Sequence, residues 1–372
     1  MEKLEFQIEF ITPAFIGGAN PRESAELRPT SFVGLLRWWY RAILRHQVKS
    51  FKELYEKESE LFGSQEKAGR VWIRIKGNVK GELKNCQTWR ANNERDTDWG
   101  KVYLGYGNIL YINFEREENR ESYSQLYKLC GNKRGNFTVR AWLEKKQNAN
   151  LQILVPKHLK EKVEALLFLF SQIGSIGSRN RRGWGSLYLK PLYESEYKNW
   201  NNWNKEEFKR VLQILGGVPP NMEIYKLNES YANPLEALEE IGRKYRTFRS
   251  RRSPDYRNVK DFLQTGTFKG HTVERAYFGL PLSFKFRSLN QKEAQLICKA
   301  DRLSSPVRFR VVRLPDGKFT CLVVHFETKE DEMPEDFKIL DKQNRKQISI
   351  AKPSSKIFKD FVNTHKLQRE VP

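Results

Sequence analysis

The groups in this sequence best equipped for chemistry are arginines set among glycines. Residues 171–187, SQIGSIGSRNRRGWGSL, hold four glycines, three arginines and a tryptophan, with no acid. Cations this close repel one another unless an anion sits among them. Glycine removes the side chains that would hold a ligand off the backbone. The stretch is neither G-x-G-x-x-G nor a Walker loop, because no G-K-[ST] follows, so nucleotide triphosphate binding is not indicated. The chemistry it predicts is contact with an RNA backbone, with Arg179, Arg181 and Arg182 on phosphates and Gly174, Gly177, Gly183 and Gly185 allowing close approach. Trp184 has two readings, a platform for a base or a core anchor.

Two other stretches are basic. In AELRPTSFVGLLRWWYRAILR (25–45), Arg37, Arg41 and Arg45 recur every four residues, opposite an apolar face of Leu35, Leu36, Trp39, Ala42 and Ile43. Ser31 is the expected N-cap, Arg28 flanks it, and the helix N-terminus offers free N–H groups to a phosphate. Trp38 lies at the edge of the stripe, where an aromatic ring stacks on a base if it is exposed. The bland alternative is a solvated basic face. In RKYRTFRSRRSPDYRN (243–258) the same two readings stand level; the candidates are Arg249, Arg251 and Arg252. Catalytic groups are sparse. His46 ends the arginine helix without an identifiable partner, the other histidines are scattered, and no carboxylate cluster suggests a metal pair. No catalytic residue, metal or cofactor is assigned.

The elements that must position these groups follow from periodicity. KLEFQIEF predicts a strand with Leu4, Phe6, Ile8 and Phe10 on one side. Helices are expected at 32–48 and 156–174, and strands at 70–77, 101–114, 137–143 and 184–190. Residues 85–100 read as an insertion or a mobile loop. The order is the split βαβ of a ferredoxin-like, RNA-recognition-like fold. After a polar, aromatic junction near 191–204, helices are expected at 204–215, 233–249 and 353–363. Strands are expected at 281–287 and in a hairpin turning at Asp316-Gly317. The reading is an α+β chain of two domains, 1–195 and 196–372.

Composition agrees with the polyanion. The formal charge is +22, with a basic excess of 12 in residues 1–190 and 10 in residues 191–372, so no tail accounts for it. An ion-pair-rich thermophile surface balances its signs, and this chain does not. The N-terminus lacks an apolar signal core, and no apolar run reaches the roughly 18 residues of a membrane span. Cys86, Cys130, Cys298 and Cys321 form no CxxC pair, so free thiols in a reducing cytoplasm are expected.

Together these stretches resemble the RAMP proteins of CRISPR systems. GSIGSRNRRGWGSL is similar to the glycine-rich loop that follows the last helix of their ferredoxin-like domains. More narrowly, ITPAFIGGA, AELRPTSFVGLLRWWYRA, RSPDYR, ERAYFGLPLSF and SSPVRFRVV are similar to the first RAMP subunits of type III-B (Cmr) effector complexes. Where that family often carries a lysine or arginine after the serine and phenylalanine that open the helix, this chain has Val33, which removes one phosphate contact near Ser31. The resemblance implies tandem ferredoxin-like RAMP domains with insertions, in a ribonucleoprotein that uses a guide RNA to silence complementary RNA in antiviral defence. It implies partnership with guide RNA, target RNA and other Cmr subunits, a place at the guide's 3′ end, no membrane, and cleavage by other subunits. Two alternatives remain: a metal-independent RAMP endoribonuclease that processes guide precursors, and a stand-alone RNA-binding module.

Overall fold

A computed structural model describes residues 1–77, 79–144, 149–250, 252–300 and 302–371. The alternating apolar residues of β1 (Glu2–Phe10) all turn inward, and Leu4, Phe6, Ile8 and Phe10 are buried. Helices α1 (Pro29–Leu44) and α2 (Phe51–Phe62) follow, then β2 (Trp72–Lys76), β3 (Ala149–Val155), helix α3 (Lys160–Ile173) and β4 (Leu187–Pro191). The strands lie in the order β2-β3-β1-β4 with every neighbour antiparallel, the ferredoxin-like arrangement. Register sets Ile73 and Leu4 against Ile153, and Ile8 against Leu189, so one face is continuously apolar.

Several boundaries differ from expectation. The third strand of this sheet is Ala149–Val155, whose Ala149, Leu151, Ile153 and Val155 alternate inward, rather than 101–114 or 137–143. Residues 101–114 divide at Gly105 and Gly107 into a helix, Trp99–Leu104, and a strand, Ile109–Asn113. The strand that enters 137–143 ends at Thr138, and Leu143 further on makes an isolated antiparallel bridge with Ala14. The strands Thr88–Trp89, Arg134–Thr138 and Ile109–Asn113 then form a separate three-stranded sheet in the insertion between β2 and β3. Cys86 and Cys130 are joined in a disulfide, which corrects the expectation of free thiols at these two positions. The insertion folds back on itself, so 44 residues of sequence separation conceal their proximity. Helix α2 was not anticipated, although Ser50 Oγ accepts the Glu53 N–H at 3.1 Å as an N-cap does.

In the second half, helix α4 (Lys205–Ile214) is followed by β5 (Met222–Lys226), helix α5 (Pro234–Ser250), β6 (Val307–Arg313), β7 (Phe319–Phe326) and β8 (Gln368–Val371). The sheet order β6-β7-β5-β8 repeats that of the first sheet, and helix Lys356–Thr364 lies between β7 and β8 in sequence. The expected turn is present: Gly317 adopts a φ of 86°, and Lys318 N–H reaches Asp316 Oδ1 at 3.0 Å. A second, antiparallel sheet of Leu282–Phe286, Lys292–Ile297, Lys338–Asp341 and Gln347–Ser349 is inserted around this hairpin. Two compact units result. The first is Met1–Arg243 with Phe309–Val324 and Arg369–Pro372, and the second is Lys244–Arg308 with His325–Gln368. Among the described residues no helix is long and apolar enough to cross a membrane.

Candidate nucleic-acid interface

The glycine-arginine stretch is tied to the fold along both sides. Ser178 N–H reaches the Phe15 carbonyl at 2.8 Å, Gly185 N–H the Pro13 carbonyl at 2.9 Å, and Ile176 N–H the Gly185 carbonyl at 2.9 Å. Thr12 Oγ1 and Ser186 Oγ both donate to the Gly183 carbonyl. On the far side Phe309 N–H, on β6, reaches the Arg181 carbonyl at 3.0 Å. What projects is a turn, closed by Arg182 N–H on the Arg179 carbonyl at 2.8 Å. Arg179 sits at its start with φ 63°, a conformation that non-glycine residues adopt rarely and that recurs at binding sites.

The glycines serve this folding rather than a ligand, which corrects the expectation for Gly174, Gly177, Gly183 and Gly185. Gly185 has φ 69°, and a Cβ there would lie 1.8 Å from the Ile176 carbonyl oxygen. Gly177, at φ 91°, would press its Cβ on the Phe15 carbonyl. Gly174 is closed off by Phe170, and Gly183 by Leu238. Trp184 is a core anchor and no platform: it is wholly buried between Phe15, at 5.2 Å, and Trp89 of the insertion, at 5.9 Å.

The arginines remain at the surface. Arg179 is exposed, and Arg181 and Arg182 are half-buried. Partial burial, then the charges of Arg182, Arg140 and Arg181, hold the Arg179 guanidinium below the usual arginine range; Tyr106 acts in the opposite sense. Partial burial and the charge of Arg182 depress Arg181 likewise. Among the described residues neither Arg179 nor Arg181 is ion-paired with an acid. A cationic cluster folded against its own repulsion favours an anion in its midst.

The stripe on α1 is arranged differently. The N-cap is Arg28, with Pro29 at the first helical position; Ser31 lies within the first turn and donates its N–H to the Arg28 carbonyl at 3.1 Å. Arg28 is ion-paired with Glu26 at 3.0 Å. The buried face is Phe32, Leu36, Trp39, Tyr40, Ile43 and Leu44, so Leu35 and Ala42 are only half-buried. Arg37 and Arg41 both grip Glu58 of α2, whose side chain is 3% exposed; Arg41 Nη1 lies 2.8 Å from each carboxylate oxygen. Arg45 lies over the Phe51 ring at 4.6 Å, and Trp38 meets Trp39 edge to face. Arg37 and Arg41 therefore fasten α1 to α2. Glu58→Gln is expected to cost roughly 1–3 kcal/mol in chemical denaturation, because charge-assisted bonds are lost while the arginines still reach water. RNA affinity should not fall, since the variant frees two cations.

Residues 7–188 match the RAMP superfamily model. Residues 7–188 belong to the RAMP superfamily. The chain is 25% identical over 350 residues to the CRISPR system Cmr subunit Cmr1-1 of Pyrococcus furiosus, covering 87% of each chain. To Cmr1-2 of the same organism it is 28% identical over 199 residues, covering 51% of this chain and 96% of that one. The crystal structure of Cmr1 from Pyrococcus furiosus in its apo form shares the fold, with TM-score 0.52 and 19% identity over 100% of this chain and 99% of that one.

Two of the remaining RAMP-like stretches are joined through a buried carboxylate. Asp255 of RSPDYR is buried and accepts the N–H groups of Glu274 and Arg275, at 3.3 and 3.0 Å, and the Arg275 guanidinium at 3.1 Å. ERAYFGLPLSF and RSPDYR thus meet each other. The basic run 243–258, expected to be helical as far as 249, holds the end of α5, a π-helical turn, Arg252–Tyr256, and the start of helix Arg257–Thr265. Arg249 lies over Tyr245 at 5.4 Å, and its carbonyl accepts from Arg275. Of the other two candidates, Arg251 lies outside the described residues, and Arg252 opens the π-helical turn. Sequence reasoning missed Arg310 of SSPVRFRVV. It is fully buried and donates to the carbonyls of Ser171 and Gln172, at 2.7 and 3.2 Å, and to that of Leu187. Burial pushes its pKa down to about 10. His325 is a core residue, stacked on Phe358 at 3.8 Å and bonded to Tyr277. Exposed His46 lies in the turn after α1. Among the described residues no three His, Cys, Asp or Glu side chains gather as a metal site.

Proposed function

We propose that this chain is the RNA-binding RAMP subunit of a type III-B (Cmr) effector complex, working in the cytoplasm without catalysing cleavage itself. In this reading residues 1–195 and 196–372 are its two RAMP domains. It sits at the end of the complex that holds the 3′ region of the guide RNA and its duplex with target. The observation that carries the reading is the turn of Arg179, Arg181 and Arg182, anchored on both sides and crowded by cations, with no ion pair to Arg179 or Arg181 among the described residues. Its similarity to two Cmr subunits supplies the complex.

The test has two arms. Co-expressed with neighbouring Cmr subunits, the chain should co-purify with a small RNA of defined length. Alone, it should bind RNA with an affinity that falls with salt at a log–log slope of about −0.7 per phosphate neutralised on a single strand, and leave that RNA intact. An affinity flat in salt rules out phosphate contacts as the main term. Defined cleavage products from the chain alone would transfer it to the guide-processing endoribonuclease class.

A further inference from the structure

The insertion between β2 and β3 brings a residue to the arginine turn that sequence reasoning did not single out. Tyr106 is 67% exposed, and the Arg179 guanidinium carbon lies 6.0 Å from its ring centroid. Open rings are common on this surface, as at Phe51, Trp72 and Tyr111, so what distinguishes Tyr106 is its place against the arginine turn. Its backbone is nevertheless fixed. It lies two residues beyond helix Trp99–Leu104, whose first N–H groups, on Gly100 and Lys101, both donate to the Glu239 carboxylate at 2.9 Å. Gly100 packs so closely on α5 that a Cβ there would lie 2.2 Å from the Glu239 carbonyl oxygen. On the other side of Tyr106, buried Asn108 accepts the Ser178 hydroxyl at 3.2 Å and takes the Val139 N–H on its carbonyl at 2.8 Å. Ser178 adjoins Arg179 in the chain. The insertion and the arginine turn are therefore bonded together immediately beneath the exposed ring.

We propose that Tyr106 is a base-stacking residue of this site, and that the site takes single-stranded RNA with an unpaired base on the ring and adjoining phosphates on the arginines. The inference rests on the RNA-binding reading above and narrows it. Arginines alone recognise phosphate in a single strand or a duplex without distinction. A solvent-open aromatic beside them adds a partner that only a base outside a helix can use, because paired bases are already stacked. Arg140, exposed and close enough to act on Arg179, extends the phosphate track. The insertion then has a role: it carries the ring.

The test compares three ligands on the full chain: a single-stranded oligoribonucleotide, a strand of equal length with abasic sites, and a duplex. Phosphate number is equal in the first two, so their difference reports base contacts. The parent should bind the single strand about tenfold or more tighter than the abasic strand. Tyr106→Ala should lose that preference while binding the abasic strand as the parent does, and Tyr106→Phe should retain it. A Tyr106→Ala variant that keeps the full preference overturns the inference, as does one that weakens on both strands equally. Either result leaves the RNA-binding reading intact, because the arginine turn still carries affinity for all three ligands. A parent that binds none of the three removes that reading and this inference together.

Discussion

Replacing Arg179, Arg181 and Arg182 together by alanine is expected to weaken RNA binding about a hundredfold while leaving the melting temperature unchanged or slightly higher. The magnitude follows from three partly exposed charge-assisted contacts at roughly 1 kcal/mol each, below the value for buried ones. Removing three phosphate contacts should also flatten the salt dependence by about 2 log units per log unit of salt. The stability side has a definite sign. The guanidinium groups of Arg179 and Arg181 are held below the usual arginine range by partial burial and by one another's neighbours, so their charges oppose folding. Deleting them relieves that opposition. The left-handed φ of Arg179 is no objection, since alanine bears the same strain there as arginine. Titration of a labelled single-stranded RNA at three salt concentrations, beside a thermal melt, reads both quantities. Parent-like affinity would remove the turn from the interface and with it the basis of the proposed function.

Part of the first ferredoxin-like sheet was legible because β1 alternates and α3 stops at a glycine. Leu4, Phe6, Ile8 and Phe10 declared β1 outright. Ala149–Val155 has the same alternation, yet it follows a polar run and was passed over in favour of stretches that belong to the insertion. The arginines of the loop were legible as a cluster. The purpose of the glycines was not, because composition does not say whether a bare backbone faces a ligand or its own chain. Gly185 faces Ile176, and that is a tertiary fact. The stripe on α1 shows the same limit. A four-residue spacing puts Arg37 and Arg41 on one face, but what meets that face is Glu58, 21 and 17 residues further on. Tyr106 carried no local signal: its meaning comes from Arg179, far away in sequence.

Arg310→Met is expected to be the most destabilising of these substitutions, and it separates the scaffold of the loop from its binding surface. Arg310 looks like one more cation in a basic stretch of β6, but it is wholly buried and cannot touch RNA. Its guanidinium instead joins the carbonyls of Ser171 and Gln172, at the end of α3, to that of Leu187, at the start of β4. These are the two stems of the glycine-arginine stretch. Burial opposes the charge, pushing its pKa down to about 10, yet it stays protonated at neutral pH because the carbonyl oxygens stand in for water. Methionine matches the length of the stem and removes the charge penalty, but it strands three buried acceptors at roughly 1–3 kcal/mol each. The net loss should be at least about 3 kcal/mol, lowering the melting temperature by several degrees. Lysine should rescue little, because a single ammonium cannot span acceptors on two stems with the fixed fork of a guanidinium. Loosened stems also let the Arg179–Arg182 turn wander, so RNA affinity should fall in step with stability. That is the opposite of the triple-arginine variant, in which affinity falls alone. An Arg310→Met chain that melts with the parent would mean that the bridges to Pro13, Phe15 and Phe309 hold the loop without the buried guanidinium.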